Sequence, residues 1–459
     1  MEINVSPNHI THRPIKIFVK ISKSKLFRNF LKGFRGQRRS IFWTLSIITI
    51  FLGILFPSIV FALDIPPNTW VKRTSSYYPS AIGSSGAAAN KHVKMIYNSN
   101  DHRIYMIGGD YAGPATPDDN SHEMVYSYDV ATDTWVNVLN FTNSGTSGYP
   151  EGRCNPGWAY DPTRNVIWFG MGQRRQSSPR SGLLEGGLWT YDPTVAQNSG
   201  EVWHREGPGV PNQYNTGSPR LPANTSQDVW YMLYDPVTDA LYAPYNNGSG
   251  KYMAKYSLSG ITIKNGASKD NWSYTTLSTP DYFLGMDSFC YDSKRSRFVF
   301  YFPWPSGTNR GETWSFVPST NKWTLLSSTV LPNKSQFGMV YDSNADRIVL
   351  LGGQDCHEGQ SGCEYVSSGQ YMGMYVFNPN TNVWSLLSVS GDIPDGRKGE
   401  NSVYDPYNNV IVQMGGRGWD STPDTYGFNG NEIFLLRLNL GSPPPDTTPP
   451  SAPTNLRIN

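Results

Sequence analysis

The sequence predicts an all-β protein, a six-bladed β-propeller whose N-terminal strand closes the last blade. Three observations lead there. A fifteen-residue segment recurs six times without a gap. An aromatic–Trp pair follows each of the first five copies. One further Trp segment stands alone ahead of the first copy. A repeat at this spacing marks an array of small units that bury their faces only against their neighbours.

The composition agrees. Charged residues make up 16 % of the 459 residues and aromatics 14 %, with 44 Gly and 34 Pro. Such a mixture suits many short strands joined by tight turns. The formal net charge of +2 is unevenly spread. Residues 1–40 hold ten Lys or Arg against the single acid Glu2, a net of +9, which leaves −7 for the remainder. A mildly acidic body argues against a nucleic-acid partner, which requires a basic face.

Taken in chain order, residues 1–62 form a basic leader and an uncharged apolar run, 41–62, that follows Arg38 and Arg39. Pro57 and the Val60-Phe61-Ala62 ending resemble the close of a cleaved signal peptide. The run is also long enough to span a bilayer as an anchor. Either way the basic flank stays inside and the body is expected outside the cytoplasm, secreted or surface-attached. Contact with a membrane is expected only through this segment, if it is uncleaved.

Residues 63–440 are the expected propeller. The six copies align on Tyr97, Tyr160, Tyr234, Tyr291, Tyr341 and Tyr404. Seven residues later stand the apolar residues Ile104, Ile167, Leu241, Phe298, Ile348 and Ile411. Between them lie Asp-Pro, Asp-Ser or Asn-Ser turns, whose short polar side chains bond their own backbone. Each copy therefore reads as a hairpin, its second strand apolar enough to be covered on both faces. Gly pairs end the second strand in copies one, five and six (Gly108-Gly109, Gly352-Gly353, Gly415-Gly416). A second hairpin follows, marked by Tyr128 to Trp135, Tyr191 to Trp203, Tyr256 to Trp272, Phe316 to Trp323 and Phe377 to Trp384. Copy six has a third strand, 432–440, and then no Trp. The lone segment 68–73, with Trp70, is predicted to supply that missing strand.

These features together resemble the kelch repeat: a Gly pair, then Tyr or Phe, then Trp. The resemblance spans residues 64–440 and is strongest in blades one, five and six. Residues 441–459 open with a Pro-rich linker, and DTTPPSAPTNLRIN resembles the first strand of a fibronectin type III module.

Resemblance to the kelch group implies several possible activities. Galactose oxidases are similar in layout, but their copper site needs two His and a Cys-linked Tyr. The body here offers His92, His102, His122, His204 and His357, none in a Tyr-His pair. His102 reads as a solvated turn residue. No cofactor or metal is expected, and no catalytic residue is assigned. The stretch Gly307–Trp314 approaches the Asp box of sialidases but lacks its Ser and Asp. Sialic-acid mutarotases, also six-bladed, would need Arg and acids at the channel mouth.

Arg153, Lys334 and Arg397 occupy that slot, each seven residues before a blade Tyr. They suit either a bond to a carboxylate or sugar or a tie between blades. The connections after the second strands are long and should emerge on one face. They carry Tyr111, Arg417, Trp419 and Tyr426, residue types that anchor sugars and protein partners. The expected function is thus a binding scaffold for a protein or glycan on the long-loop face. A carbohydrate-active enzyme is the alternative. Cys356 and Cys363, six residues apart in a polar stretch, suit a local disulfide in an oxidising compartment. Cys154 and Cys290 read as buried free thiols.

Overall fold

In the computed structural model, the described residues are 63–73, 94–107, 125–139, 157–170, 188–195, 202–207, 232–246, 251–263, 271–276, 289–302, 311–331, 337–353, 373–394, 397–398, 401–414, 417–418 and 432–440. They build an all-β, six-bladed propeller. Strand β1 (Thr69–Lys72) comes first in the chain. Blade one follows as β2 (Lys94–Asn98), β3 (Arg103–Ile107), β4 (Val125–Asp129) and β5 (Thr134–Leu139). Blade two is β6 (Gly157–Asp161), β7 (Val166–Gly170), β8 (Leu188–Tyr191) and β9 (Trp203–Gly207). Blade three is β10 (Leu233–Asp235), β11 (Ala240–Asn246), β12 (Lys251–Ser257) and β13 (Trp272–Thr276). Blade four is β14 (Phe289–Asp292), β15 (Arg297–Phe302), β16 (Glu312–Val317) and β17 (Lys322–Ser327). Blade five is β18 (Gly338–Asp342), β19 (Arg347–Leu351), β20 (Met374–Asn378) and β21 (Val383–Leu387). Each of these five is an antiparallel sheet in simple sequence order.

The first strands touch in a cycle. β2 meets β6, β6 meets β10, β10 meets β14 and β14 meets β18. β18 then meets β24 (Asn401–Asp405) of blade six, and β24 meets β2 again. They therefore line the axis of a closed ring. Position in the ring explains the composition of the second strands. VIWFG in β7, RIVLL in β19 and VIVQM in β25 (Val410–Met414) are buried along almost their whole length, because each has a neighbouring blade on both faces. Aromatic and β-branched side chains fill that space.

Every seam holds its own apolar cluster. Tyr105 meets Ile167 and Trp189 between blades one and two. Trp168 and Leu241 meet between two and three, and Tyr242 and Phe298 between three and four. Tyr301 packs with Phe337 and Trp384 between four and five. The predicted aromatic–Trp pairs face each other across the outer two strands: Tyr128 with Trp135, Tyr191 with Trp203, Tyr256 with Trp272, Phe316 with Trp323 and Phe377 with Trp384. Such directly opposed pairs are the unit of sheet stabilisation.

Blade six is closed by the N-terminal strand, as the lone Trp segment predicts. β1 pairs antiparallel with β27 (Ile433–Leu436), Trp70 opposite Leu436, in a sheet whose order beyond β1 is β27-β25-β24. Trp70 is almost completely buried, edge-on to Phe434. One feature goes beyond the expectation. β22 (Ser390–Gly391), on the link from blade five, pairs parallel with the outer edge of β1. Its Gly391 has φ +82°, and a Cβ there would collide with the Trp70 carbonyl oxygen. Asp392 accepts from the Lys72 backbone N–H at 3.0 Å and donates its own N–H to the Trp70 carbonyl at 2.9 Å. β1 is thus gripped on both edges. Arg437 adds a third hold. Its guanidinium donates to the carbonyls of Leu63, Asn408 and Asn409.

Among the described residues no helix is long and apolar enough to cross a membrane. Residues 41–62, and the tail 441–459, lie outside them.

Candidate functional site at the loop end of the blades

The two ends of the blades are built differently. At one end stand the six turns of the first hairpins, all of the same length. The residue five after the blade Tyr has positive φ in every copy: His102, Asn165, Asp239, Ser296, Asp346 and Asn409, between 47° and 58°. Asn and Asp tolerate this conformation better than most residues because their short side chains bond locally. The residue after each Tyr is buried and acts as the turn's acceptor. Asp161 accepts from the N–H groups of Thr163 and Arg164, Asp342 from Asn344 and Ala345, and Asp405 from Tyr407 and Asn408. Burial raises the carboxyls of Asp342 and Asp405 above their ordinary pKa.

These turns also tie neighbouring blades together. Arg164 of blade two makes a two-pronged bond to Asp239 of blade three, both at 2.7 Å. Arg295 of blade four does the same to Asp346 of blade five, both at 2.9 Å. That guanidinium, with Lys294, Tyr341 and Asn380, holds the Asp346 carboxyl far below the usual range. The intervening seams use tyrosine instead. Tyr291 donates to Asp235 at 2.9 Å, and Tyr404 reaches Asp342. Burial pushes both phenols well up. At the seam between blades six and one, the His102 ring stacks on Tyr407 at 4.0 Å, while its Nδ1 lies 2.8 Å from the Tyr97 hydroxyl. His102 is an exposed turn residue, as expected, but it also bridges two blades. These ties were not read from the sequence, although the recurrence of Asp or Asn five residues after Tyr was available as a signal.

The opposite end carries the connections from second to third strands. They range from the short 247–250 to the long 108–124, 171–187 and 354–372. Here the sequence placed its candidate residues. The structure brings two of them together. β23 (Arg397–Lys398) pairs antiparallel with β26 (Arg417–Gly418), Arg397 opposite Gly418 and Lys398 opposite Arg417. The ladder keeps the register of β24 with β25, in which Asn401 faces Met414. Arg397, before the innermost strand, and Arg417, after its partner, thus flank the mouth of the ring on adjacent rungs. Arg153, Lys334, Tyr111, Trp419, Tyr426 and the pair Cys356 and Cys363 lie outside the described residues, as does Cys154. Cys290 is a buried free thiol, its pKa raised by burial. Among the described residues no group of three or more His, Cys, Asp and Glu is placed to hold a metal ion.

No family model matches the chain, and no curated protein matches its sequence.

Proposed function

We propose that this chain is an exported kelch-type propeller that binds a protein or glycan ligand through the loop end of its blades. One observation carries the reading: the connections from second to third strands run from 247–250 to 354–372, while the six first-hairpin turns at the other end are of equal length and cross-tied. Variable connections on a rigid ring are where recognition surfaces are built. The kelch assignment rests on the Gly pairs and on the aromatic–Trp rungs that organise five blades. Export rests on the apolar run after Arg39, and the tail after Pro445 extends the resemblance to exported proteins that carry fibronectin type III spacers. Arg397 and Arg417, on adjacent rungs of one short ladder, are of a residue type suited to carboxylates and sugar hydroxyls.

Glycan-array and surface-protein binding of the purified chain tests this. Binding that weakens at least fivefold in Trp419→Ala, with an unchanged melting temperature, is the expected result. Measurable turnover of a sugar, with no retained binding to glycans or proteins, would favour the carbohydrate-active alternative.

A further inference from the structure

Among the described blade strands, β1 alone can leave the ring without breaking a hairpin. The outer strands of blades one to five each come directly after the third strand of the same blade, and each has a single partner in its sheet. β1 differs on both counts. It completes blade six from the far end of the chain, and it pairs with β27 on one edge and β22 on the other. A strand that closes a fold without being continuous with it is the kind of element that identical chains exchange in domain swapping. With one edge free, β1 would also present an open row of N–H and C=O groups. The outer strand open to exchange is thus the one whose second edge is covered.

The cover is anchored on both sides. Leu387 and Val389, just ahead of it, pack on a cluster that includes Val349, Leu351, Met374 and Leu436, and Pro394 behind it is buried. Between these anchors the chain meets β1 mainly through backbone. The Ser390 N–H donates to the Asn68 carbonyl at 3.1 Å and the Asp392 N–H to the Trp70 carbonyl at 2.9 Å. The Lys72 N–H donates to the Asp392 carboxylate at 3.0 Å, and the hydroxyls of Thr69 and Ser390 lie 3.1 Å apart. Gly391 permits this seat, because its φ is +82° and any Cβ would meet the Trp70 carbonyl. Ser390, Gly391 and Asp392 are all exposed, so they add little apolar burial. Their bonds must break before β1 lifts off β27, and interactions lost on the way out slow the exit. We infer that the segment 390–392 is a latch that keeps β1 in its own ring, and that the blade-six edge it guards accepts the β1 of a second copy once the latch is off.

Hydrogen exchange of the segment 68–73 and the oligomeric state at high concentration are followed in the full chain and in two variants. Gly391→Ala places a Cβ against the Trp70 carbonyl. Asp392→Ala removes only the carboxylate acceptor, and carries the test if Gly391→Ala does not fold. Exchange in 68–73 should quicken at least about tenfold in Gly391→Ala and severalfold in Asp392→Ala, while β15 and β16 of blade four keep the parent's rate. On concentration the parent should stay monomeric and Gly391→Ala should gain a dimer, which an excess of a peptide of residues 64–75 suppresses. An unchanged rate in both variants would overturn the latch. Equal quickening in 68–73 and in blade four would reduce it to general stability and overturn it as well. Quickened exchange with no dimer at any concentration, or a dimer that the peptide leaves intact, would overturn the acceptance of a second copy's β1. A parent that itself dimerises and yields to the peptide would show that the latch does not hold.

Discussion

The turn end and the loop end of this propeller obey opposite rules. At the turn end the six first-hairpin turns share one length, one left-handed residue and one buried acceptor, and side chains reach across the seams. At the loop end the connections run from 247–250 to 354–372, and Lys398 pairs in register with Arg417. The difference teaches where the ring is held and where it is free to vary. A turn that also bridges blades cannot change length without misplacing its partner. A connection that leaves the ring carries no such constraint.

The first way to break this comparison is to open the ring. Deleting residues 64–75 removes β1, Trp70 and the anchor for β22. Loss of one buried Trp alone costs about 3–5 kcal/mol, so the melting temperature should fall by at least about 10 °C. Calorimetry giving an unchanged melt would refute closure by the N-terminal strand.

Next, the seam ties can be cut singly. Asp346→Ala strips Arg295 of its two-pronged partner while Asp292 remains. A cost of about 2–3 kcal/mol is expected in urea unfolding. Leu386→Ser, at an exposed site of the outer strand β21, should stay within about 0.5 kcal/mol. Equal effects would mean that the turn ties contribute no more than ordinary surface positions.

The smallest effect is one of pH. The folded Asp346 carboxyl ionises far below its unfolded value of about 3.9, because Arg295 bonds its charged form. Its contribution is therefore present above that pH and fades as pH falls below it. Asp342 and Asp405, raised by burial, act in the opposite sense: theirs is present below about pH 3.9 and is lost as pH rises through the raised values. The stability gap between the parent and Asp346→Asn should accordingly narrow between pH 6 and pH 3. A constant gap across that range would show that hydrogen bonding, not charge, is what the seam uses.

Much of the ring was legible. The six hairpins were visible because each is a local pattern, Tyr, turn and apolar strand, written within fifteen residues. The closing strand was visible because blade six lacks a Trp that stands unclaimed before blade one. Legibility ended where partners lie a blade apart. Nothing near Arg164 or Arg295 says that an aspartate some fifty to seventy-five residues later will receive it. The candidate site was read only as residue types in corresponding slots. Its one described element, the Arg397–Arg417 ladder, needed the register of two strands.

By itself, then, the sequence determined the blade count, the hairpin turns, the aromatic–Trp rungs and the order in which the ring closes, because periodic side chains and turn residues act over short stretches of chain. The tertiary structure alone decided the parallel grip of Ser390–Gly391 on β1, the Arg–Asp and Tyr–Asp seams and the opposition of Lys398 to Arg417. Those depend on which surfaces meet once the ring has closed, and distance along the chain carries no record of it.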